Sequence, residues 1–280
     1  SQVAMIYDWD SRWAMEDSKG PRNDGLHHQE MLLKYYRAFR KQGMNVDLID
    51  MDCSIEGYQV LVLPMTYMFK QGFAEKVRAF VEQGGVLITT YWSGIADDTD
   101  RCYLGGTPHG LMDVLGLRST EIDGLFDWEE NQFMPVDGNE LGLFREYTCK
   151  YLCDLVRLDG AQALMTYGSD FYQGYPALTV NRYGKGSAWY VAADAEQVFQ
   201  EDFIAKLLEH EEICGAVPGE IPEGLEATTR ETEDVRYYIY QNFGTGRVML
   251  PLPEGETETV FGDPKQELEP YGLVVLRQRR

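Results

Sequence analysis

Apolar and polar positions alternate along the chain in two different rhythms. VAMIY (3–7) is a short continuous apolar run and reads as a buried strand. HHQEMLLKYYRAFRKQG (27–43) changes rhythm and places Met31, Leu32, Tyr35, Tyr36 and Phe39 on one helical face before stopping at Gly43. NVDLID (45–50) and YQVLVLP (58–64) read as further strands. FAEKVRAFVEQGG (73–85) is an amphipathic helix ended by two glycines, and VLITTY (86–91) is the fourth strand. Strand, helix, strand, strand, helix, strand predicts an α/β fold with an open, mostly parallel sheet. The unbroken apolar character of VLVLP and VLITT predicts that these strands are covered on both faces.

The pattern weakens over 92–160, where Gly-rich and acidic loops surround one short helical piece, GLMDVLG (110–116). ALMTYG (163–168) reads as a strand. PALTVNRYGKGSAWYVAA (176–193) reads as a hairpin turning at YGKG, and EQVFQEDFIAKLLEHEE (196–212) as a closing helix. GAVPGEIPEG (215–224) then reads as a linker. Beyond it come short strands without a helix, at 235–243, 247–252, 256–261 and 271–277, which predict a sandwich or partial barrel. The expected division is an α/β domain over 1–214, a linker over 215–224 and a small antiparallel β domain over 225–280.

Charge narrows the partners. Lys and Arg number 25 against 46 Asp and Glu, a formal charge of −21 spread along the whole chain. A field of that sign repels nucleic acid and anionic membrane surfaces, so neither is expected as a partner. No apolar run approaches the ~20 residues of a membrane span. SQVAMIYDWD lacks the basic start of a signal peptide, and with no initiator Met the expectation is either a natural protein that begins further upstream or the remnant of a processed tag. The five cysteines, Cys53, Cys102, Cys149, Cys153 and Cys214, are irregularly spaced and fit reduced thiols in the cytoplasm.

Ligands of open α/β sheets bind beyond the carboxyl ends of the strands. The loops leaving strands one and four, DWDSRWAMED (8–17) and WSGIADDTDRCYLGG (92–106), are expected to converge there. They bring Asp8, Trp9, Trp13, Trp92, Ser93, Asp97, Asp98 and Arg101 into one patch, which reads as an interface or pocket wall. A hydrolytic centre would need a nucleophile on a tight strand–turn–helix elbow, as in class I glutamine amidotransferases, whose sheet is of this kind. TTYWSGI (89–95) offers Ser93 before Gly94, but Tyr91 and Trp92 stand where small residues are required. No histidine lies near AADAEQ (192–197), where the partner base should be. Cys149, Cys153, Cys102 and His109 lack diagnostic zinc spacing. YGKGS (183–187) and LGGTPHG (104–110) lack phosphate-loop character. No catalytic residue, metal or cofactor is expected.

The segments VAMIYDWDSRWAMED, YYRAFRKQGMNVDLID, YQVLVLPMTYMF, FVEQGGVLITTYWSGIADDTDRCYLGGTPHGLMDVLGL and PALTVNRYGKGSAWYVAA resemble the non-catalytic part of family 42 of the glycoside hydrolases, the bacterial β-galactosidases. The resemblance covers nearly the whole chain. It implies an amidotransferase-like (flavodoxin-like) trimerisation domain without a nucleophile, then a small β domain. The family's (β/α)₈ catalytic barrel and its two glutamates have no counterpart here, so no catalytic residue carries over. The resemblance further implies a homotrimer in which this region meets neighbouring subunits and its own N-terminal barrel. The competing readings are a stand-alone carbohydrate-binding or sensor module on an inactive scaffold, and a hydrolase using Ser93.

Overall fold

The first apolar run forms β1 (Val3–Ile6), buried at every position. This computed structural model describes residues 1–18, 20–22, 26–263 and 266–280. After β1 come α1 (Trp9–Asp17), α2 (His28–Lys41), β2 (Val46–Ile49), β3 (Val60–Leu63), α3 (Phe73–Glu82) and β4 (Val86–Thr90). Helix α2 buries Met31, Leu32, Tyr35 and Phe39 as its spacing predicts, while Tyr36 stays partly exposed. Helix α3 ends in a Schellman pair, with Gly85 N donating to Phe80 O and Gly84 N to Val81 O, both at 3.0 Å. A side chain at Gly85 would strike the Phe80 ring at 2.3 Å.

Next come α4 (Met112–Leu115), β5 (Leu117–Gly124), β6 (Asn131–Pro135), β7 (Tyr147–Leu158), β8 (Gln162–Tyr167), β9 (Pro176–Tyr183), β10 (Gly186–Val191), β11 (Ala193–Ala195) and α5 (Gln197–His210). Among the described residues, eleven strands form one sheet in the order β11-β7-β6-β8-β9-β10-β4-β3-β1-β2, with β5 also on β7. Strands β2, β1, β3, β4 and β10 run parallel, and every other pairing in this sheet is antiparallel. The expectation of a mostly parallel sheet is therefore corrected to a mixed one. Apolar runs report burial, but strand direction depends on a partner distant in sequence. Strands β5, β6 and β7 lie inside the stretch whose pattern was weak. In β7 the cause is visible: Tyr151 has φ +66°, which breaks the period-two alternation.

The last part holds β12 (Leu225–Glu231), β13 (Val235–Asn242), β14 (Val248–Met249), β15 (Glu258–Phe261), β16 (Glu267–Leu268) and β17 (Leu273–Arg279). They make a four-stranded antiparallel sheet, β12-β13-β17-β15, and a two-stranded ribbon of β14 and β16. That replaces the expected sandwich or barrel among the described residues. A separate core forms here around Tyr240, Val274 and Leu276. Val217 and Ile221, from the stretch read as a linker, are buried in it. Their amides donate to Gly43 O and Lys41 O, at 3.1 and 2.7 Å, so this stretch is docked along the end of α2. Gly43 has φ +69°, and a Cβ there would meet Val217 O at 2.2 Å.

Arg40 clamps the two parts together. It is 7% exposed and donates to Met44 O (2.6 Å), to Ala227 O and to Glu226 Oε2 (3.0 Å). Beside it Asn45 Nδ2 donates to Thr229 Oγ1 at 2.8 Å. Removing the guanidinium leaves two buried carbonyls without a donor. Arg40→Ala is expected to destabilise the chain by roughly 2–4 kcal/mol in urea unfolding, and to expose residues near 215–224 to protease. A loss under about 0.5 kcal/mol would remove Arg40 from this role.

Candidate functional site

DWDSRWAMED is helical, which corrects its reading as a loop. Asp8 is the N-cap of α1: its Oδ1 accepts from Asp10 N (3.0 Å) and Ser11 N (3.2 Å). Its Oδ2 accepts from Met51 N (3.3 Å) and pairs with Lys70 Nζ (3.0 Å). Asp8 is 3% exposed, so it fastens three segments internally and offers nothing to a partner. Ser11 Oγ accepts from Met68 N at 3.1 Å and pins the helix to the loop after β3.

Trp9 and Trp13 remain outside, 53% and 59% exposed, with ring centroids 5.9 Å apart. Arg12 lies between them on the helix. It stands 5.2 Å from the Trp9 ring, donates to the Tyr7 hydroxyl and pairs with Glu16 at 2.9 Å. Tyr7 stacks on His28 at 5.9 Å. His28 Nε2 donates to Pro64 O (3.2 Å), and burial lowers the pKa of this imidazole to about 4, so it is neutral at physiological pH.

Trp92 and Ser93 do not join that surface, a second correction. Trp92 is 4% exposed and holds φ +57° just after β4. Its indole lies beneath Gly20, where a Cβ would come within 2.5 Å of the ring, and beside Tyr67 at 5.7 Å. Ser93 is 1% exposed, and its Oγ accepts from Thr66 N at 3.0 Å. The bend is packed with a ring and a bonded hydroxyl, so no reactive oxygen is presented to solvent. Asp97, Asp98 and Arg101 form a self-contained turn. Asp97 Oδ1 accepts from Thr99 Oγ1, Thr99 N and Arg101 N at 2.6, 2.9 and 3.1 Å. These bonds, led by the Thr99 hydroxyl, bring the Asp97 carboxyl down to about 2. Arg101 is 84% exposed in its side chain and pairs with Asp97 at 3.2 Å, and Asp98 is exposed.

A second exposed aromatic group was missed. Phe126 and Trp128 stack at 4.7 Å with rings 4° from parallel, 60% and 77% exposed. Arg22 donates to Leu125 O (2.5 Å) and Asp127 Oδ1 (2.6 Å) and lies 5.1 Å from the Tyr151 ring. His27 stacks on Tyr151 at 4.2 Å. The signal was legible: LFDWEEN (125–131) repeats the mixture of aromatics and acids in DWDSRWAMED. Cys149 and Cys153 are buried free thiols, whereas Cys102 is exposed.

The result is an α/β sheet closed at its bend, carrying exposed aromatic pairs and clamped to a small β domain. Residues 1–214 match the family described as the beta-galactosidase trimerisation domain, and residues 224–278 match the beta-galactosidase C-terminal domain. The chain belongs to the family 42 β-galactosidases, in the part made of these two domains. It is 40% identical over 282 residues to beta-galactosidase BglY of Alicyclobacillus acidocaldarius, covering 99% of this chain and 41% of that protein. The β-galactosidase of Rahnella sp. R3 superimposes with TM-score 0.92 at 41% identity, over 100% of this chain and 41% of that one. That of Bacillus circulans sp. alkalophilus gives TM-score 0.91 at 32% identity, over 99% of this chain and 41% of that one. The chain thus spans about two fifths of the length of these relatives.

Asp8 and Asp10 both pair with Lys70 at 3.0 Å, but only Asp8 caps α1. Asp8→Ala is expected to cost roughly 2 kcal/mol in denaturant unfolding, from the lost cap and the stranded Met51 amide. Asp10→Ala should cost under about 0.5 kcal/mol. Equal losses would show that the cap is not what holds the helix.

Proposed function

We propose that this chain is the non-catalytic assembly region of a β-galactosidase that hydrolyses terminal non-reducing β-D-galactosides. It holds the enzyme as a homotrimer and seats the enzyme's own N-terminal catalytic barrel. The observation that carries this reading is the bend after β4. It is filled by buried Trp92 and a bonded Ser93 hydroxyl, while exposed aromatics gather nearby on α1 and around Trp128. Fully desolvated aromatics and arginines are what protein interfaces favour. Trp9, Trp13 and Arg12 form the proposed centre of contact, with Asp97, Asp98 and Arg101 at its rim.

The scaffold is read as amidotransferase-like. The strand order β2-β1-β3-β4-β10 supports this, because it follows the flavodoxin-like arrangement with β10 in fifth place. The division into an assembly domain over 1–214 and a β domain over 225–280 is supported by the two separate cores. No helix among the described residues is long and apolar enough to cross a membrane. Five free cysteines favour a cytoplasmic setting.

The isolated chain is expected to release no chromophore from a chromogenic galactoside. In the longer enzyme, Trp9→Ala combined with Trp13→Ala should weaken the trimer by roughly tenfold or more in sedimentation, and Arg101→Ala far less. Turnover by the chain, or an unchanged trimer in the double variant, would defeat the proposal. Tight binding of galactose or lactose to the chain in calorimetry would favour a carbohydrate-binding module instead.

A further inference from the structure

Asp154 stands inside β7 with 1% exposure, and no feature of the assembly reading uses it. Its main chain is fully engaged: the amide donates to Ala192 O at 2.8 Å, and the carbonyl accepts from the Tyr167 hydroxyl at 3.2 Å. Its carboxyl is less well served. Oδ2 accepts from the Tyr190 hydroxyl, while Oδ1 has no hydrogen-bond partner among the described residues. The Trp92 amide and the Ser119 hydroxyl act on the carboxyl in favour of its charged form.

Among the described residues, the titratable groups named around Asp154 bring no unpaired positive charge. Tyr190 on β10, Tyr167 on β8, Tyr91 beyond β4, Cys153 on β7 and Tyr35 on α2 contribute hydroxyls and a thiol. Burial pushes the pKa values of Tyr190, Tyr167, Tyr91 and Tyr35 up. Asp123 on β5 accepts from the Tyr172 hydroxyl at 3.0 Å. Asp194 on β11 holds Lys34 of α2 at 2.5 Å. Burial pushes the Asp154 carboxyl up to about 7, against the opposing pull of Tyr190, Trp92 and Ser119.

One wall of this site is strained. Trp92 holds a left-handed φ, which is unfavourable for a residue with a side chain. Its indole supports Gly20, in the connection from α1 to α2. An ionised carboxylate in an apolar site is relieved by any opening that admits water, and the strained bend is the wall that gains by moving.

We propose that Asp154 is a proton-operated latch on the bend after β4: protonated, it leaves Trp92 closed beneath Gly20, and ionised, it favours an open bend that hydrates the carboxyl. The sign follows from linkage. The folded chain binds this proton more tightly than the unfolded one, so stability is full at low pH and falls as pH rises. The loss runs from about 4, the ordinary value, to about 7, and is complete above it. Over that window this one group raises the unfolding equilibrium constant by up to about tenfold per pH unit.

The test is ¹⁹F NMR of the 280-residue chain labelled with 5-fluorotryptophan, with the Trp92 signal assigned through Trp92→Phe. The signal is expected to move between about pH 5 and about pH 8 with one midpoint near neutrality, and the movement should vanish in Asp154→Asn. Urea unfolding of the two proteins should diverge over the same range. Tyr190→Phe removes a donor that favours the charged form, so it should shift the midpoint upward, which keeps the test decisive if Asp154→Asn does not fold. A Trp92 signal indifferent to pH, a transition that persists in Asp154→Asn, or a midpoint unmoved by Tyr190→Phe would overturn the latch. None of these outcomes bears on trimer formation, which is read separately by sedimentation.

Discussion

Strand β10 is hydrogen-bonded along both edges, in opposite senses. Ser187 to Val191 lie parallel to Val86 to Thr90 of β4, while the same residues run antiparallel to Leu178 to Arg182 of β9. All six of its residues are buried. The hairpin turn at Gly184 and Lys185 reverses the chain here, and Gly184 has the positive φ that such turns demand. At Gly186 the backbones approach so closely that a Cβ would meet Gly85 O at 2.2 Å. The parallel half with its helices and the antiparallel half thus share one strand and one hydrophobic core.

That shared strand explains the character of the carboxyl edge. Parallel strands end where the chain must turn abruptly into loops or helices, and several turns here use left-handed residues with side chains: Met65 after β3, Trp92 after β4 and His27 before α2. Tyr151 reaches the same neighbourhood from β7 and stacks on His27. Strain of this kind persists where the surroundings over-determine it. The surroundings here are packed rings and the Asp8 cap. Some aromatics at this edge, Trp92 and Tyr67 among them, are buried, whereas Trp9, Trp13, Phe126 and Trp128 stand exposed.

The β domain is fixed to this body by specific polar contacts laid over a docked connection. Arg40 reaches across to Ala227 and Glu226, Asn45 to Thr229, and Lys41 to Glu220 at 3.0 Å. A flexible tether would leave those groups in water. Here Val217 and Ile221 carry the connection into the second core, and the backbone groups beside them are satisfied by α2.

Much of this was legible in one dimension. Periodicity located the parallel strands, α2, α3, α5 and the hairpin within a few residues, because burying one face is a local constraint written in residue spacing. The bulk of Tyr91 and Trp92 is likewise readable without coordinates, and both side chains are buried at the bend after β4. The tertiary structure alone decided which way β5 to β9 run, that Asp8 is a cap, that Trp92 and Ser93 are internal, and that 215–224 is docked. Each of these depends on a partner far away in the chain: β7 for β5, Lys70 and Met51 for Asp8, Gly20 and Thr66 for the bend, the end of α2 for the connection. A residue's own spacing says that it will be covered, and only packing says by what.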